Sequence, residues 1–282
     1  MINLFKIITL SIISILFVSS KAFAVSAETV KACDADTHLF TGTATACRFT
    51  PQSYQANVFE MGLCTANPMS GASLDRTTCS VVFTATDTSN GSAHDFALGD
   101  VSLEGTSVRP SNGTYKFPYI ILSNVFTIKA QFERDGTTYF VRKTGSACNG
   151  VNTTGPAEEC NGTLNQFNQA GNCDGEYLGA RFEGGLLNGY LMQASNLDKK
   201  DGLADDDGSG GCLNVDRLVG VMELDNALNI TPSVTNFKFT FNVTGYGAQM
   251  FTGAARPNNN PNGGGGSGPF SGFFTVTSAP QQ

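Results

Sequence analysis

Residues 125–143 read VFTIKAQFERDGTTYFVRK, and this stretch decides the fold class. Apolar residues at the even positions from 126 to 132 alternate with polar ones, which is the pattern of a strand with one buried face and one solvated face. Asp135 and Gly136 follow, and an Asp-Gly pair tolerates the positive φ angles of a type I′ turn. The stretch therefore predicts an antiparallel β-hairpin with strands at 125–133 and 137–143.

Similar patterns elsewhere in the chain predict further strands, at 54–64, 79–84, 96–103, 113–122, 213–224 and 237–243. Charged residues make up only 15% of the chain, which suits strands and turns better than long salt-bridged helices. The 21 phenylalanines are the main apolar mass available for a core. We therefore expect an all-β protein, an antiparallel β-sandwich with a core rich in Phe.

The first 24 residues have the pattern of a cleaved signal peptide. Lys6 precedes an apolar run from Ile7 to Val18, and Ala22-Phe23-Ala24 is a small-x-small cleavage site. The apolar run is about a dozen residues, short of the roughly 20 that a membrane-spanning helix needs, and no segment of the mature chain could span a bilayer. We expect a secreted, periplasmic or outer-surface protein, and the leader rich in Ile, Asn and Lys favours a bacterial source.

Cysteine is the second strong signal. All eight cysteines follow the predicted cleavage site, and an even number in an oxidising compartment predicts disulfides; they are Cys33, Cys47, Cys64, Cys79, Cys148, Cys160, Cys173 and Cys212. The turn-rich sequence between Cys64 and Cys79 predicts a bridge that joins adjacent antiparallel strands. Cys33 with Cys47 is a second local pair, and the spacing leaves the other pairings open.

Residues 144–212 interrupt the strand pattern with four cysteines among Gly, Asn and Asp. We expect a Cys-rich insertion or subdomain there, ordered by disulfides because few apolar residues alternate. It would divide the sandwich into a first part at 25–143 and a second part at 213–256. Residues 257–268 have the composition of a mobile Gly/Asn/Pro linker, and 269–282 contain a C-terminal strand.

The C-terminal strand combines aromatic and β-branched residues, namely Phe270, Phe273, Phe274 and Val276. Such a segment must pair with a sheet. Extended at up to roughly 3.3 Å per residue, the linker could carry it to the sheet of another molecule. Two alternatives stay open: the strand completes the sheet of a neighbouring copy by β-strand addition, or it folds back as an edge strand of its own domain. Repeated head to tail, the first alternative builds a filament.

The loop at 196–208, NLDKKDGLADDDG, is the candidate ion site. Calcium prefers hard oxygen ligands, and the loop offers the carboxylates of Asp198, Asp201, Asp205, Asp206 and Asp207. The segment resembles the Asp-rich calcium repeats of secreted bacterial proteins in its Asp201-Gly202 step, and it departs from them by placing lysines at 199 and 200. The alternative is a solvated acidic loop, in which case the protein has no cofactor.

Other chemistries find little support in the sequence. With 17 Lys and Arg against 24 Asp and Glu and no basic run, a nucleic-acid partner is not expected. His38 and His94 are the only histidines and no Cys-x-x-Cys occurs, so we expect no zinc site. Glu158-Glu159 lacks the geometry of a catalytic dyad because neighbours on a strand point apart. No nucleophile or phosphate-binding motif is present, and we predict no catalytic residue.

The strand pattern looks like that of secreted immunoglobulin-like, transthyretin-like or fimbrial β-sandwich proteins, a resemblance that carries over no functional residue. We expect a non-enzymatic structural or adhesive surface protein whose copies join through strand addition. The first alternative is a monomeric extracellular binding module with a loop-borne, calcium-ordered ligand site. A secreted hydrolase is the third hypothesis.

Overall fold

The computed structural model describes residues 31–32, 46–99, 102–134, 136–167, 172–182, 184–251, 266–269 and 273–280. These residues form 21 strands and two 3-10 turns, and they contain no α-helix. The all-β prediction is confirmed. The predicted signal peptide lies outside the described residues, and no helix within them is long and apolar enough to cross a membrane.

The strands of the first half of the chain are β1 (Lys31–Ala32), β2 (Ala46–Phe49), β3 (Ser53–Cys64), β4 (Cys79–Ala85), β5 (Ser92–Asp95), β6 (Gly105–Ser107), β7 (Gly113–Tyr115), β8 (Phe117–Ser123), β9 (Val125–Lys129) and β10 (Gln131–Arg134). Those of the second half are β11 (Thr137–Thr144), β12 (Ala147–Asn152), β13 (Cys160–Thr163), β14 (Glu176–Phe182), β15 (Gly185–Met192), β16 (Arg217–Leu224), β17 (Leu228–Ile230), β18 (Val234–Asn242), β19 (Ala248–Phe251), β20 (Gly266–Pro269) and β21 (Phe273–Pro280). The 3-10 turns are Phe96–Leu98 and Leu203–Asp205.

The largest sheet is built around β3, the longest strand. On one side β3 pairs with β8 and β9, which follow each other with only Asn124 between them. On the other side it pairs with β4 and β5. Beyond β8 the sheet continues through β16, β15 and β14, whereas beyond β9 it continues through β13, β12, β11 and β10. The sheet therefore forks at Asn124.

Asn124 joins the two branches at this fork. The residue is only 5% exposed. Its side-chain amide donates hydrogen bonds to the carbonyl oxygens of Leu164 and Val215, both at 3.1 Å. Leu164 follows the last residue of β13 and Val215 lies shortly before β16, so one side chain bonds a carbonyl on each branch.

The main core draws buried side chains from both branches and from β2, β18 and β19; its members include Tyr54, Ile128, Val141, Met222 and Met250. A second cluster, on the β8 branch, packs Tyr119 and Tyr190 under Met69 and Leu74 of the loop between β3 and β4. Gly62 is required there, because a Cβ at this position would lie 2.3 Å from Cε1 of Tyr119.

The predicted hairpin is present: Arg134 pairs with Thr137, and Gly136 has a φ of 73°. Asp135 lies outside the described residues. The predicted strand at 125–133 is divided at Ala130 into β9 and β10, and the one at 113–122 is divided between β7 and β8. The strands predicted at 54–64, 79–84 and 213–224 are present with shifted ends.

The predicted strand at 96–103 is wrong. Phe96–Leu98 is a 3-10 turn, and β5 ends before it at Asp95. The Asp95 carboxylate accepts the N–H of Ala97 at 3.0 Å, so a local side-chain bond replaces a strand ladder. The pairing is also not wholly antiparallel, since β1 with β2 and β12 with β13 run parallel.

Three disulfides are present among the described residues, and they indicate an oxidising environment. Cys64 and Cys79 stand opposite each other on β3 and β4, which is the local pairing that the sequence predicts. The other two are Cys148–Cys160 and Cys173–Cys212. Cys47 is disulfide-bonded, but Cys33 lies outside the described part, so their pairing stays a prediction.

Within the stretch predicted as a Cys-rich insertion, 144–212, strands β12 to β15 belong to the large sheet. Leu191 and Met192 on β15 have no exposed surface. The apolar residues of β15 thus enter the cores of the forked sheet, and the domain boundaries at 143 and 213 stay predictions.

Candidate assembly site

The C-terminal part of the chain forms a nested hairpin. The strands β18 and β21 pair antiparallel with Lys238 opposite Thr277, and inside them β19 pairs antiparallel with β20, with Ala248 opposite Pro269. We call β18 and β19 the fixed arm and β20 and β21 the return arm. Residues 252–265 connect the two arms along the chain.

The fixed arm is anchored at its start. The Arg109 guanidinium donates from Nε to the carbonyl oxygen of Val234 at 3.1 Å and from Nη2 to that of Thr231 at 2.6 Å. Directly before this turn, β17 pairs antiparallel with β7, and its Ile230 is only 1% exposed. Main-chain pairing, burial and a charged donor therefore fix the point at which β18 begins.

The middle and the end of the fixed arm are also attached to the domain. The ring of Phe241 lies 4.7 Å from that of Phe96, centroid to centroid. The amide of Gly245, between β18 and β19, donates to Oγ1 of Thr50 at 2.7 Å. β19 pairs with β2, and Met250 is buried in the main core.

The return arm has strand partners only in the fixed arm among the described residues: β21 pairs with β18, and β20 pairs with β19. β21 also lies close to β17, and β20 lies close to β9, β12 and β13 of the large sheet, without strand pairing. Val276 on β21 is 8% exposed and belongs to the main core, opposite Phe239. Thr277 beside it is exposed. Main-chain pairing therefore joins the return arm to the fixed arm, whereas its approach to the large sheet involves no strand pairing.

The structure contains part of what the sequence predicts for this region. Gly266, Ser267 and Gly268, at the end of the predicted linker, are paired with β19. A Gly-rich segment can do this because ladder hydrogen bonds need no side chain. The predicted strand at 269–282 is present as Phe273–Pro280 and includes Phe273, Phe274 and Val276. Phe270 and residues 257–265 lie outside the described residues.

β21 differs from the outer strands of the forked sheet. The outer strand β14 carries a register shift between Tyr177 and Ala180, and its Arg181 is ion-paired to Asp225 at 2.8 Å. β6 is three residues long and β10 is four. Bulges, charges and short length all discourage pairing with a second chain. β21 has eight residues, FFTVTSAP, and none of them is charged. Of the features that discourage pairing with a second chain, this strand has only the proline at its end.

The Asp-rich loop is engaged in local contacts. Asp205 accepts from Lys200 Nζ at 3.0 Å and from the amide of Asp201, while Asp206 accepts from the amide of Gly208 at 2.7 Å. Asp207 accepts from Ser209 and Gly211, which hold its pKa below the ordinary value. Asp198 bonds to Asn196.

No group of three or more acidic, His or Cys side chains able to hold a metal ion occurs among the described residues, and all five predicted ligands are within them. Calcium binding by this loop stays a prediction.

A buried polar cluster ties the Cys64–Cys79 loop to the sheet. Arg76 donates from Nε and Nη2 to the two oxygens of Glu60 at 2.7 and 3.2 Å, and the Tyr119 hydroxyl donates to Glu60 Oε1 at 2.5 Å. Burial, together with the Glu60 charge, raises the pKa of Tyr119. Each of these groups is hydrogen-bonded to another member, so the cluster links the loop to the sheet.

The structure also places Glu158, Glu159 and His94, the described ones among the residues considered for catalysis or zinc binding, in separate surroundings. Glu158 is paired with Arg142 at 2.7 Å, and Glu159 beside it is exposed. His94 lies on β5 with its ring 5.2 Å from that of Phe96, and His38 lies outside the described residues. Nothing in the sequence marks Arg109 as part of the assembly site, because its partners are main-chain carbonyls up to 125 residues away and one asparagine amide.

No protein-family model, no curated protein and no solved structure matches this chain. Evidence for function therefore comes from its own residues.

Proposed function

We propose that this chain is a non-enzymatic extracellular structural protein whose copies assemble by exchanging the return arm. In the assembled form, β20 and β21 of one copy would pair with β19 and β18 of the next. The observation that carries the proposal is that strand pairing joins the fixed arm, and not the return arm, to the rest of the domain among the described residues. The fixed arm is bound to its domain at three places, whereas the return arm pairs only with the fixed arm among the described residues.

The connecting segment is long enough for exchange. Residues 252–265 lie between the arms, and at roughly 3.3 Å per residue 14 residues span on the order of 45 Å when extended. Their sequence includes RPNNNPNGGG, which has no apolar side chain suited to a core. A neighbouring copy would therefore be within reach of the return arm.

Exchange preserves the contacts that each copy already makes. Every pair between β18 and β21, and the burial of Val276, would be reformed between two molecules in place of one. The net cost is then that of association itself, which higher protein concentration offsets. Reciprocal exchange gives a closed dimer, and one-way exchange repeated head to tail gives a filament.

The proposal includes the finer features that the sequence predicts. The sheets would form a β-sandwich, and the protein would be secreted by a bacterium and displayed at its outer surface. The signal-peptide pattern and the three disulfides support export. The absence of a recognisable catalytic motif in the sequence favours a structural or adhesive role over hydrolysis.

Directed cross-linking between two different variants tests the exchange. Lys238 and Thr277 are opposite each other and both exposed. One chain carries Lys238→Cys, a second, isotopically labelled chain carries Thr277→Cys, and the two are mixed, incubated and oxidised. We expect a disulfide between position 238 of the unlabelled chain and position 277 of the labelled chain, identified by peptide mass spectrometry, because only an exchanged arm brings the two positions together.

The matched control replaces Lys238→Cys by Thr106→Cys, an exposed residue on the outer strand β6. This pair reports cross-linking by random collision. A yield for the 238–277 pair no higher than that of the control, at concentrations up to those used for electron microscopy of assemblies, would refute the exchange.

A further inference from the structure

We infer that Arg109 is the positioning residue of the acceptor strand, and that it determines whether a chain can receive the return arm of a neighbour. The inference rests on the proposed exchange and adds to it a residue that neither pairs with the incoming strand nor lies next to it in sequence.

The Arg109 side chain makes four hydrogen bonds. Nε donates to Val234 O at 3.1 Å, Nη1 to Pro110 O at 2.9 Å, and Nη2 to Asn112 Oδ1 at 2.8 Å and to Thr231 O at 2.6 Å. Val234 is the first residue of β18. The Thr231 carbonyl also accepts the amide of Val234 at 2.9 Å, so Arg109 closes the turn from which the acceptor strand starts.

Arg109 is itself held on the forked sheet. The amide of Val108 donates to Val82 O on β4 at 2.9 Å, and the amide of Ser111 donates to Oγ of Ser80 at 3.3 Å. The hydroxyl of Tyr115 on β7 donates to Ser111 O at 2.9 Å. Arg109 thus links the segment 108–111, whose amides bond to β4, to the first residue of the fixed arm.

An arginine suits this position better than a lysine. A planar guanidinium presents its N–H groups in a rigid fork and can bond several carbonyl oxygens in fixed directions at once. A lysine ammonium has one nitrogen, which cannot reach the Val234 and Thr231 carbonyls while it also bonds Pro110 and Asn112. The hydrogen bonds at this site therefore require the fixed geometry of the Arg109 guanidinium as well as its positive charge.

The position of Val234 matters most when the return arm is absent. In the closed hairpin β18 is held by Arg109 and by its pairing with β21, where Val234 stands opposite Pro280. When the return arm leaves, the β21 pairing is lost and the Arg109 bonds remain. They keep Val234, the first residue of β18, in place, so that an incoming strand meets a fixed start of the ladder, which shifts register between Val234 and Asn236.

The cross-linking assay with labelled chains tests this role when Arg109→Gln is placed in one chain at a time. In the acceptor chain, which carries Lys238→Cys, we expect the yield of the 238–277 linkage to fall about tenfold, because the bonds from a charged donor to the carbonyls of Val234 and Thr231 are lost. In the donor chain, which carries Thr277→Cys, the same substitution should not lower the yield, since the donor contributes only its return arm.

The outcomes separate the two proposals. If Arg109→Gln lowers the yield equally in either chain, Arg109 has only a general structural role and the inference is wrong while the exchange stands. If no linkage forms even with Arg109 in both chains, the exchange and the inference both fail. Should Arg109→Gln not fold, Asn112→Ala removes one oxygen that orients the guanidinium, and the same asymmetry between acceptor and donor, with a smaller drop, is required.

Discussion

The forked sheet and the nested hairpin are both β-structure, yet they are held together differently. In the forked sheet, β3, β8 and β16 each have partner strands on both sides, and three disulfides join positions within it or its loops. In the hairpin, the return arm pairs on one side only among the described residues, and Val276 is its one described buried side chain.

The proposed exchange requires that one fold contain a stable part and a part that opens more easily. A strand with two partners cannot leave without breaking the whole sheet, so its opening free energy approaches that of global unfolding. A strand with one partner can open by itself at lower cost, and the hydrogen bonds that it loses can be regained from a second copy. Substitutions in each region test this difference in opening free energy, and those in the forked sheet should have the largest effects.

Removing the Cys173–Cys212 disulfide should have the largest effect. The bridge closes a sequence separation of 39 residues, and its loss through the Cys173→Ser, Cys212→Ser double substitution should cost about 4 kcal/mol of unfolding free energy. Urea unfolding measures this loss. The double serine variant at Cys64 and Cys79, with a separation of 15, is the control and should lose about 3 kcal/mol. A larger loss from the shorter loop would contradict the prediction.

Asn124→Ala tests the fork itself. The substitution leaves the carbonyls of Leu164 and Val215 without the donor they have in the folded state, which should cost about 2–4 kcal/mol. The control is Asn57→Ala, which removes one exposed bond, to Asn90 O at 2.8 Å, and should change stability by less than about 0.5 kcal/mol. Equal losses in the two variants would show that Asn124 does not join the branches.

The contrast between the two regions also explains what the sequence could predict. Alternation at 125–133 and the Asp-Gly turn predict a hairpin correctly because register and turn type are local properties. The Cys64–Cys79 bridge is predictable for the same reason, since its loop joins paired strands.

The fork could not be predicted in this way. In the sequence, nothing distinguishes Asn124 from any polar residue at a bend, because the carbonyls that accept its hydrogen bonds lie 40 and 91 residues away along the chain. In the C-terminal hairpin, the apolar character of β21 is visible in the sequence, but Arg109, which holds the start of β18, bonds main-chain carbonyls, which every residue type offers. The Asp-rich loop stays a prediction: its composition fits a metal site, and the carboxylates of Asp205, Asp206 and Asp207 bond to Lys200 and nearby amides.

Val276→Ala should have a smaller and more local effect. Deleting two buried methyl groups costs about 1.5 kcal/mol, and it should lower the opening free energy of the return arm and leave that of β3 unchanged. Native-state hydrogen exchange of the amides in β21 and β3 measures both. Thr277→Ala, at the exposed neighbouring position, is the matched control and should leave both values within a few tenths of a kcal/mol. Faster exchange throughout β3 would mean that the two regions open together.

The smallest effect should come from His94, which lies between the two regions. Its ring contacts Phe96, and Phe96 contacts Phe241 of the fixed arm. Burial lowers the pKa of His94 from its ordinary value of 6.5, although the charge of Asp95 acts in the opposite direction. On acidification the unfolded chain therefore takes up this proton before the folded chain does, and the folded state loses stability as the pH falls through 6.5.

Comparing His94→Gln with the unchanged chain isolates the contribution of His94 to the pH dependence of the unfolding free energy, because His38 and all carboxyl groups are present in both. The difference in unfolding free energy between the two proteins, measured in urea at about pH 7.5 and about pH 5.5, should move in favour of the Gln variant at the lower pH. Hydrogen exchange should place the acid-sensitive opening in β18 and β21, because the aromatic contacts of His94 lead to Phe241. A difference independent of pH would mean that His94 has the same pKa in the folded and unfolded chains, and that the fixed arm is not coupled to its protonation.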